Sequence, residues 1–154
     1  MKTKMILLGL AVFFGSALVA AAQDPNMGTW KLNEAKSHFA KGATKNHTVV
    51  YEMSGNDIKV TVDGTDDGGN AVHNEWTGKF DGKYYAVTGD ATSDMRSYRR
   101  INKRTLAIRA KKDGKATLSG TIAVSRNGKT RTVTTSGRNA QGKWVTNTSV
   151  YDKQ

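Results

Sequence analysis

From residue 28 to residue 152, apolar and polar side chains alternate in short runs broken by Gly next to Asn, Asp or Gln. Period two sends successive side chains to opposite faces of a strand, and helical spacing is scarce. The runs at 28–32, 47–53, 58–63, 71–80, 83–88, 95–101, 105–110, 116–125, 129–137 and 143–152 predict about ten strands. Asp81-Gly82, Asp113-Gly114, Asn127-Gly128 and Gln141-Gly142 each precede a lysine. Dipeptides of this kind supply the positive φ that tight hairpins need. Sequential hairpins give an antiparallel up-and-down sheet, and ten strands must close to hide their edges. The expected fold is therefore an all-β, antiparallel, up-and-down barrel of about ten strands, monomeric, with a polar connection at 33–45 after the first strand that has room for one or two helical turns.

Register follows from keeping apolar residues on one face. A two-residue loop at Asn127-Gly128 pairs Ile122 with Val133 and sets Arg131 opposite Val124, and one at Asp81-Gly82 pairs Trp76 with Val87. Between 105–110 and 116–125, a three-residue loop with Gly114 in the left-handed region pairs Ile108 with Leu118. The resulting interior holds Trp30, Leu32, Val49, Tyr51, Met53, Ile58, Val60, Val62, Trp76, Tyr85, Val87, Leu106, Ile108, Leu118, Ile122, Val124 and Val133. Asn74, Gly78, Gly120 and Thr135 interleave with them. That face is thin and partly polar, which fits either a core filled by its large aromatics or a cavity with polar patches.

The segment Ser93 to Arg104 reads SDMRSYRRINKR. Its turn admits two registers. One turns Arg99 inward, and the other turns Arg96, Tyr98 and Arg100 inward. Either way an arginine enters the closed sheet, and a buried guanidinium needs a carboxylate, carbonyls, water or a bound anion. Glu75 near a rim is one internal partner to consider, an acidic ligand held in fork geometry is another, and a place at the barrel mouth is a third. The candidate ligand-facing residues are Arg96, Tyr98, Arg99, Arg100, Trp76, Tyr85 and Arg131.

Residues 1–22 begin MKTK, continue as an apolar run and end Ala20-Ala21-Ala22 before Gln23-Asp24. This pattern predicts a secretory signal peptide and a single domain at 23–154, placed in the periplasm or outside the cell. The chain has no cysteine, which removes disulfides, thiol catalysis and cysteine-based metal sites. The formal net charge is +11 and sits unevenly: residues 24–94 carry 7 basic and 11 acidic side chains, whereas residues 95–143 carry 14 basic and 1 acidic. Such a basic half attracts acidic surfaces, so an anionic envelope lipid or polysaccharide is a second candidate partner. Secretion argues against nucleic acid.

The loop Asp63-Gly64-Thr65-Asp66-Asp67-Gly68 resembles part of a calcium loop but meets Asn74 where a bidentate Glu is needed. His38, His47 and His73 lack ligand spacing. With no nucleophile elbow and no matched carboxylate pair, the expectation is a non-enzymatic protein without metal or cofactor.

Gly28-Thr29-Trp30-Lys31-Leu32 resembles the Gly-x-Trp opening of lipocalins and the opening strand of fatty-acid-binding proteins. GTWKLNEAKS, SYRRI and the closing VYDKQ are similar to small secreted bacterial proteins of unknown function described as lipocalin-like. The resemblance implies a barrel around a small apolar or acidic amphiphile, with Trp30 plugging one end against a late-strand arginine, for which Arg138 is the candidate. The Arg-x-Tyr clamp of fatty-acid-binding proteins is missing from the last strand, which ends Val150-Tyr151-Asp152-Lys153.

Overall fold

The computed structural model describes residues 23–139 and 141–154; the signal-peptide expectation for residues 1–22 lies outside them. The strands are β1 (Gly28–Leu32), β2 (Lys45–Ser54), β3 (Asp57–Thr65), β4 (Ala71–Gly78), β5 (Asp81–Thr88), β6 (Met95–Asn102), β7 (Thr105–Lys112), β8 (Lys115–Val124), β9 (Thr130–Arg138) and β10 (Trp144–Lys153). Each pairs antiparallel with its chain neighbours, and β1 also pairs with β10, so the barrel is closed. The connection after β1 forms a single 3-10 turn, Glu34–Lys36, and then a lone bridge between His38 and Thr148. Asn33 caps that turn by accepting from the Lys36 N–H.

Strand registers match the alternation except where a bulge intervenes. Ile122 faces Val133, Val124 faces Arg131 and Trp76 faces Val87, as the pattern requires. The β7–β8 turn is different from the expected three-residue loop. Asp113 and Gly114 both take positive φ, 49° and 76°, and form a tight two-residue turn. The register then shifts between Ala110 and Lys111, so Ile108 pairs with Gly120 and Leu118 with Ala110. The bulge sits one step up the ladder, where it restores the inward parity that the turn alone would break. A similar shift between Arg100 and Asn102 pairs Tyr98 with Ile108 and Arg100 with Leu106. This selects the register that turns Arg96, Tyr98 and Arg100 inward.

Trp30, Val49, Tyr51, Val60, Val62, Trp76, Val87, Tyr98, Leu106, Ile122, Val124 and Tyr151 form the core with Met27. Met53, expected inside, is 62% exposed because β2 runs past the end of the barrel there. Gly78 is required on the inner face: a Cβ would fall 2.5 Å from the Tyr85 ring that crosses it. Gly120 is required for a different reason, since a Cβ would meet the Thr134 carbonyl oxygen at 2.1 Å.

One end of the barrel is plugged. The turn from Asp24 to Met27 crosses it, Asn26 and Trp30 are fully buried, and the Trp30 indole N–H donates to the Asn26 carbonyl at 2.9 Å. Odd-to-even connections in an up-and-down barrel all lie at one end, so the loops after β1, β3, β5, β7 and β9 surround the other.

Candidate functional site

Between the plug and those loops lies a cavity of about 370 Å³, within the range of small-molecule sites. Phe39, Asp66, Asp90, Ser93 and Asn139 line its mouth. Its wall is apolar along Val49, Val62, Val72, Ile108, Leu118, Ile122 and Val133, and polar along Asn74, Thr135, Asn147 and Ser149.

Arg131 lies deepest in the chemistry of this cavity. Strand pairing sets Leu32, Tyr151, Arg131 and Val124 in one inward row across β1, β10, β9 and β8. Arg131 is only 2% exposed. Its guanidinium carbon stands 4.7 Å from the Tyr151 ring, 4.9 Å from Tyr51 and 5.0 Å from Trp30. These are cation–π distances, and desolvation strengthens such contacts. Aromatic faces leave the N–H groups in the ring planes' periphery unsatisfied: Nε and Nη1 have no hydrogen-bond partner in the protein. No carboxylate forms an ion pair with Arg131 among the described residues. Arg131 is thus a buried charge held by aromatic rings rather than by a carboxylate.

Arg96 and Tyr98 also line the cavity. Arg96 is 7% exposed and satisfied: its Nη2 donates to the Asp90 carboxylate at 2.9 Å. Glu75, one of the partners considered from the sequence, lies on the outward face and pairs with Lys59 at 3.0 Å rather than with Arg96. Burial would raise the Asp90 pKa, but bonds from the Ser93 hydroxyl and Thr92 backbone and the Arg96 charge hold it below its ordinary value. Tyr98 packs edge-on to Trp76 at 4.7 Å and to Tyr51 at 6.2 Å. Burial, reinforced by Tyr51, pushes its phenol well above the usual range. Burial likewise pushes Tyr151 up to about 12, against the pull of the Arg131 charge. Both phenols are therefore neutral donors at neutral pH.

The other sequence candidates lie elsewhere. Trp76 is buried beside Tyr98, its indole N–H donating to the Arg96 carbonyl at 2.9 Å, and Tyr85 stacks edge-on against it at 5.7 Å. Both belong to the packed aromatic floor rather than to the cavity lining. Arg100 reaches the plugged end, where it pairs with Asp24 and covers the Phe80 ring at 5.3 Å. Arg99 points out of the barrel, because it sits opposite Ala107 on the outer row. The arginine on Trp30 is Arg131 of the penultimate strand. Arg138, the expected one, packs on Trp144 at 5.2 Å near the mouth.

Sequence reasoning missed Tyr151 and Asp90. In KWVTNTSVYD both parities carry apolar residues, Trp144 and Val150 on one and Val145 and Tyr151 on the other. Asp90 sits in a loop that no strand periodicity reaches. Its signal was the GDATSD run, whose Ser, Thr and Asp favour local caps.

The metal reading of the 63–68 loop meets a different arrangement. Asp66 accepts the N–H groups of Gly68 and Asn70, each at 2.9 Å, and so closes the β3–β4 hairpin.

No protein-family model matches the chain. No curated protein matches it in sequence. Among solved structures it is similar to one described as EF1p2_mFAP2b bound to DFHBI, with 11% identity, alignment over 84% of this chain and 94% of that one, and a TM-score of 0.48.

Proposed function

We propose that this protein is a non-enzymatic binding protein that holds a small amphiphilic acid inside the barrel. The acid group sits on Arg131 and the apolar body extends toward Phe39 and the mouth loops. Arg131 carries the assignment: it is a buried guanidinium that lines the cavity, with aromatic rings in place of a carboxylate and with Nε and Nη1 lacking a hydrogen-bond partner. A purely structural arginine would be expected to have its donors satisfied by carbonyls or a carboxylate, because an unmet charged donor in a dry site is costly. The Tyr151 phenol, kept protonated by burial beside Arg131, adds a polar group to the same end of the cavity. The arrangement offers binding and orientation of an acid group. We further propose that the protein works outside the cytoplasm, on the strength of its N-terminal sequence.

Calorimetric titration with octanoate, decanoate and dodecanoate, beside the matching alcohols, tests the assignment. Stoichiometric binding of the acids, with the alcohols weaker by about tenfold or more, is the expected result. Equal binding of acids and alcohols, or no binding by either, would overturn it.

A further inference from the structure

The outer wall carries a second site that the cavity does not involve. Tyr84, Ser97 and Arg109 pair directly across β5, β6 and β7, and Arg99 lies in the adjacent outward row. With Gly82 and Ala107 they enclose a shallow dip of about 80 Å³. Its floor is made of small residues. Ser97 faces outward yet is only 4% exposed, because its large neighbours overhang it, and its hydroxyl donates to the Gly82 carbonyl at 3.0 Å. The Arg99 stem lies across Gly82, where a Cβ would come within 3.1 Å of Cδ. Lys111 stands 4.3 Å above the Tyr84 ring beside the dip.

The charge around this dip is one-sided. Of the 14 basic residues in 95–143, only Arg96 and Arg100 form ion pairs among the described residues, and both belong to the interior or the plugged end. Arg99, Arg109 and Lys111 therefore stand on the wall without a carboxylate, and Lys103, Arg104 and Lys115 extend the strip at its two ends. The adjoining wall at β3 and β4 differs, since Lys59 and Lys79 are paired with Glu75 and Asp57. Clustered cations raise the local potential and draw a polyanion.

We propose that this wall binds an acidic polysaccharide, with one acid group seated over Ser97 between Arg99 and Arg109. Three features favour this partner over other polyanions. Lys111 already covers Tyr84, which leaves no free ring there for base stacking. The exposed apolar residues Ile101 and Trp144 stand at strand ends, so the wall has no wedge for a bilayer. The neighbouring strands β8 and β9 present Ser119, Thr121, Thr132 and Thr134 outward, a row of hydroxyls suited to sugar.

Biolayer interferometry with immobilised polygalacturonate, and neutral dextran as control, tests the site. The variants are R99Q/R109Q and the charge-matched K31Q/K41Q. Binding should weaken at least about tenfold in R99Q/R109Q and less than about threefold in K31Q/K41Q. It should also fall steeply between about 50 and 500 mM salt, as the Debye length shrinks from roughly 14 to 4 Å. Dodecanoate binding in R99Q/R109Q should match the parent, which shows the variant folded and separates this wall from the cavity. Equal losses in the two variants, absence of polygalacturonate binding, or tighter binding to oligothymidylate or to phosphatidylglycerol vesicles would overturn the proposal.

Discussion

Replacing Arg131 with methionine separates ligand binding from folding. Methionine keeps the length of the side chain and removes the charge. In the parent, taking an isolated guanidinium out of water costs several kcal/mol. Three rings at 4.7, 4.9 and 5.0 Å offset this, each by about 2 kcal/mol when desolvated. These opposing terms nearly cancel, so Arg131→Met should leave the free protein within about 1.5 kcal/mol of the parent. Near this size that is a Tm change of no more than about 5–9 °C, given roughly 3–6 °C per kcal/mol. The free Nε and Nη1 donors give a different answer for an acid ligand. A hydrogen bond to a charged group contributes about 1.5–3 kcal/mol, and even one lost bond gives roughly a 10- to 150-fold weaker Kd. Thermal unfolding with and without decanoate, together with calorimetric titration, reads both quantities. The expected pattern is a Tm close to the parent's, with the decanoate-induced rise abolished. A loss above about 4 kcal/mol with decanoate affinity unchanged would refute the reasoning and make Arg131 an internal cross-link of the aromatic plug.

Three further predictions concern the residues around it. Asp90→Asn should cost about 2–4 kcal/mol at neutral pH, because it leaves Arg96 buried without its anion. Since the folded Asp90 pKa is depressed, its contribution is present above about pH 4 and disappears as pH falls through the lower folded value, so acid unfolding of the variant should be flatter; an unchanged acid limb would contradict this. For the buried phenols the sign reverses. Tyr151 and Tyr98 stay protonated in the fold after the unfolded phenols ionise near pH 10, so stability should fall between about pH 10 and 12. A spectrophotometric titration in which all five tyrosines ionise together near pH 10 would count against it. Gly120→Ala forces a Cβ against the Thr134 carbonyl and should destabilise by about 3 kcal/mol or more; a chemical-denaturation midpoint equal to the parent's would show that β8 and β9 can separate freely.

Legibility in the chain ran out at particular places. Strand existence was readable almost throughout, because alternation in IKVTVD and the hairpin dipeptides act locally. The pairings Ile122–Val133 and Val124–Arg131 followed from parity alone, so the inward position of Arg131 was available before any coordinates. The β7–β8 turn was not, since one extra residue within a strand reverses every inward position beyond it. A bulge leaves almost no trace in composition. Asp90 shows the second limit: its partner Arg96 is on a strand, but the loop that brings the carboxylate back has no periodicity to place it.

What the sequence by itself determined is the all-β class, the order of ten strands and the presence of arginine inside a closed sheet. These follow from short-range rules: period two, positive-φ turns and the need to remove edges. Only the tertiary structure decided which arginine is paired and which is left with free donors. Arg96 and Arg131 look alike as residues in strands, and each has apolar and hydroxyl neighbours along the chain. The β5–β6 loop folds Asp90 back onto Arg96, six residues along the chain, whereas closure of the barrel brings Trp30 and Tyr51 to Arg131 beside Tyr151. Electrostatic partnership depends on distance in space, and only closure sets that distance between strands so far apart in sequence.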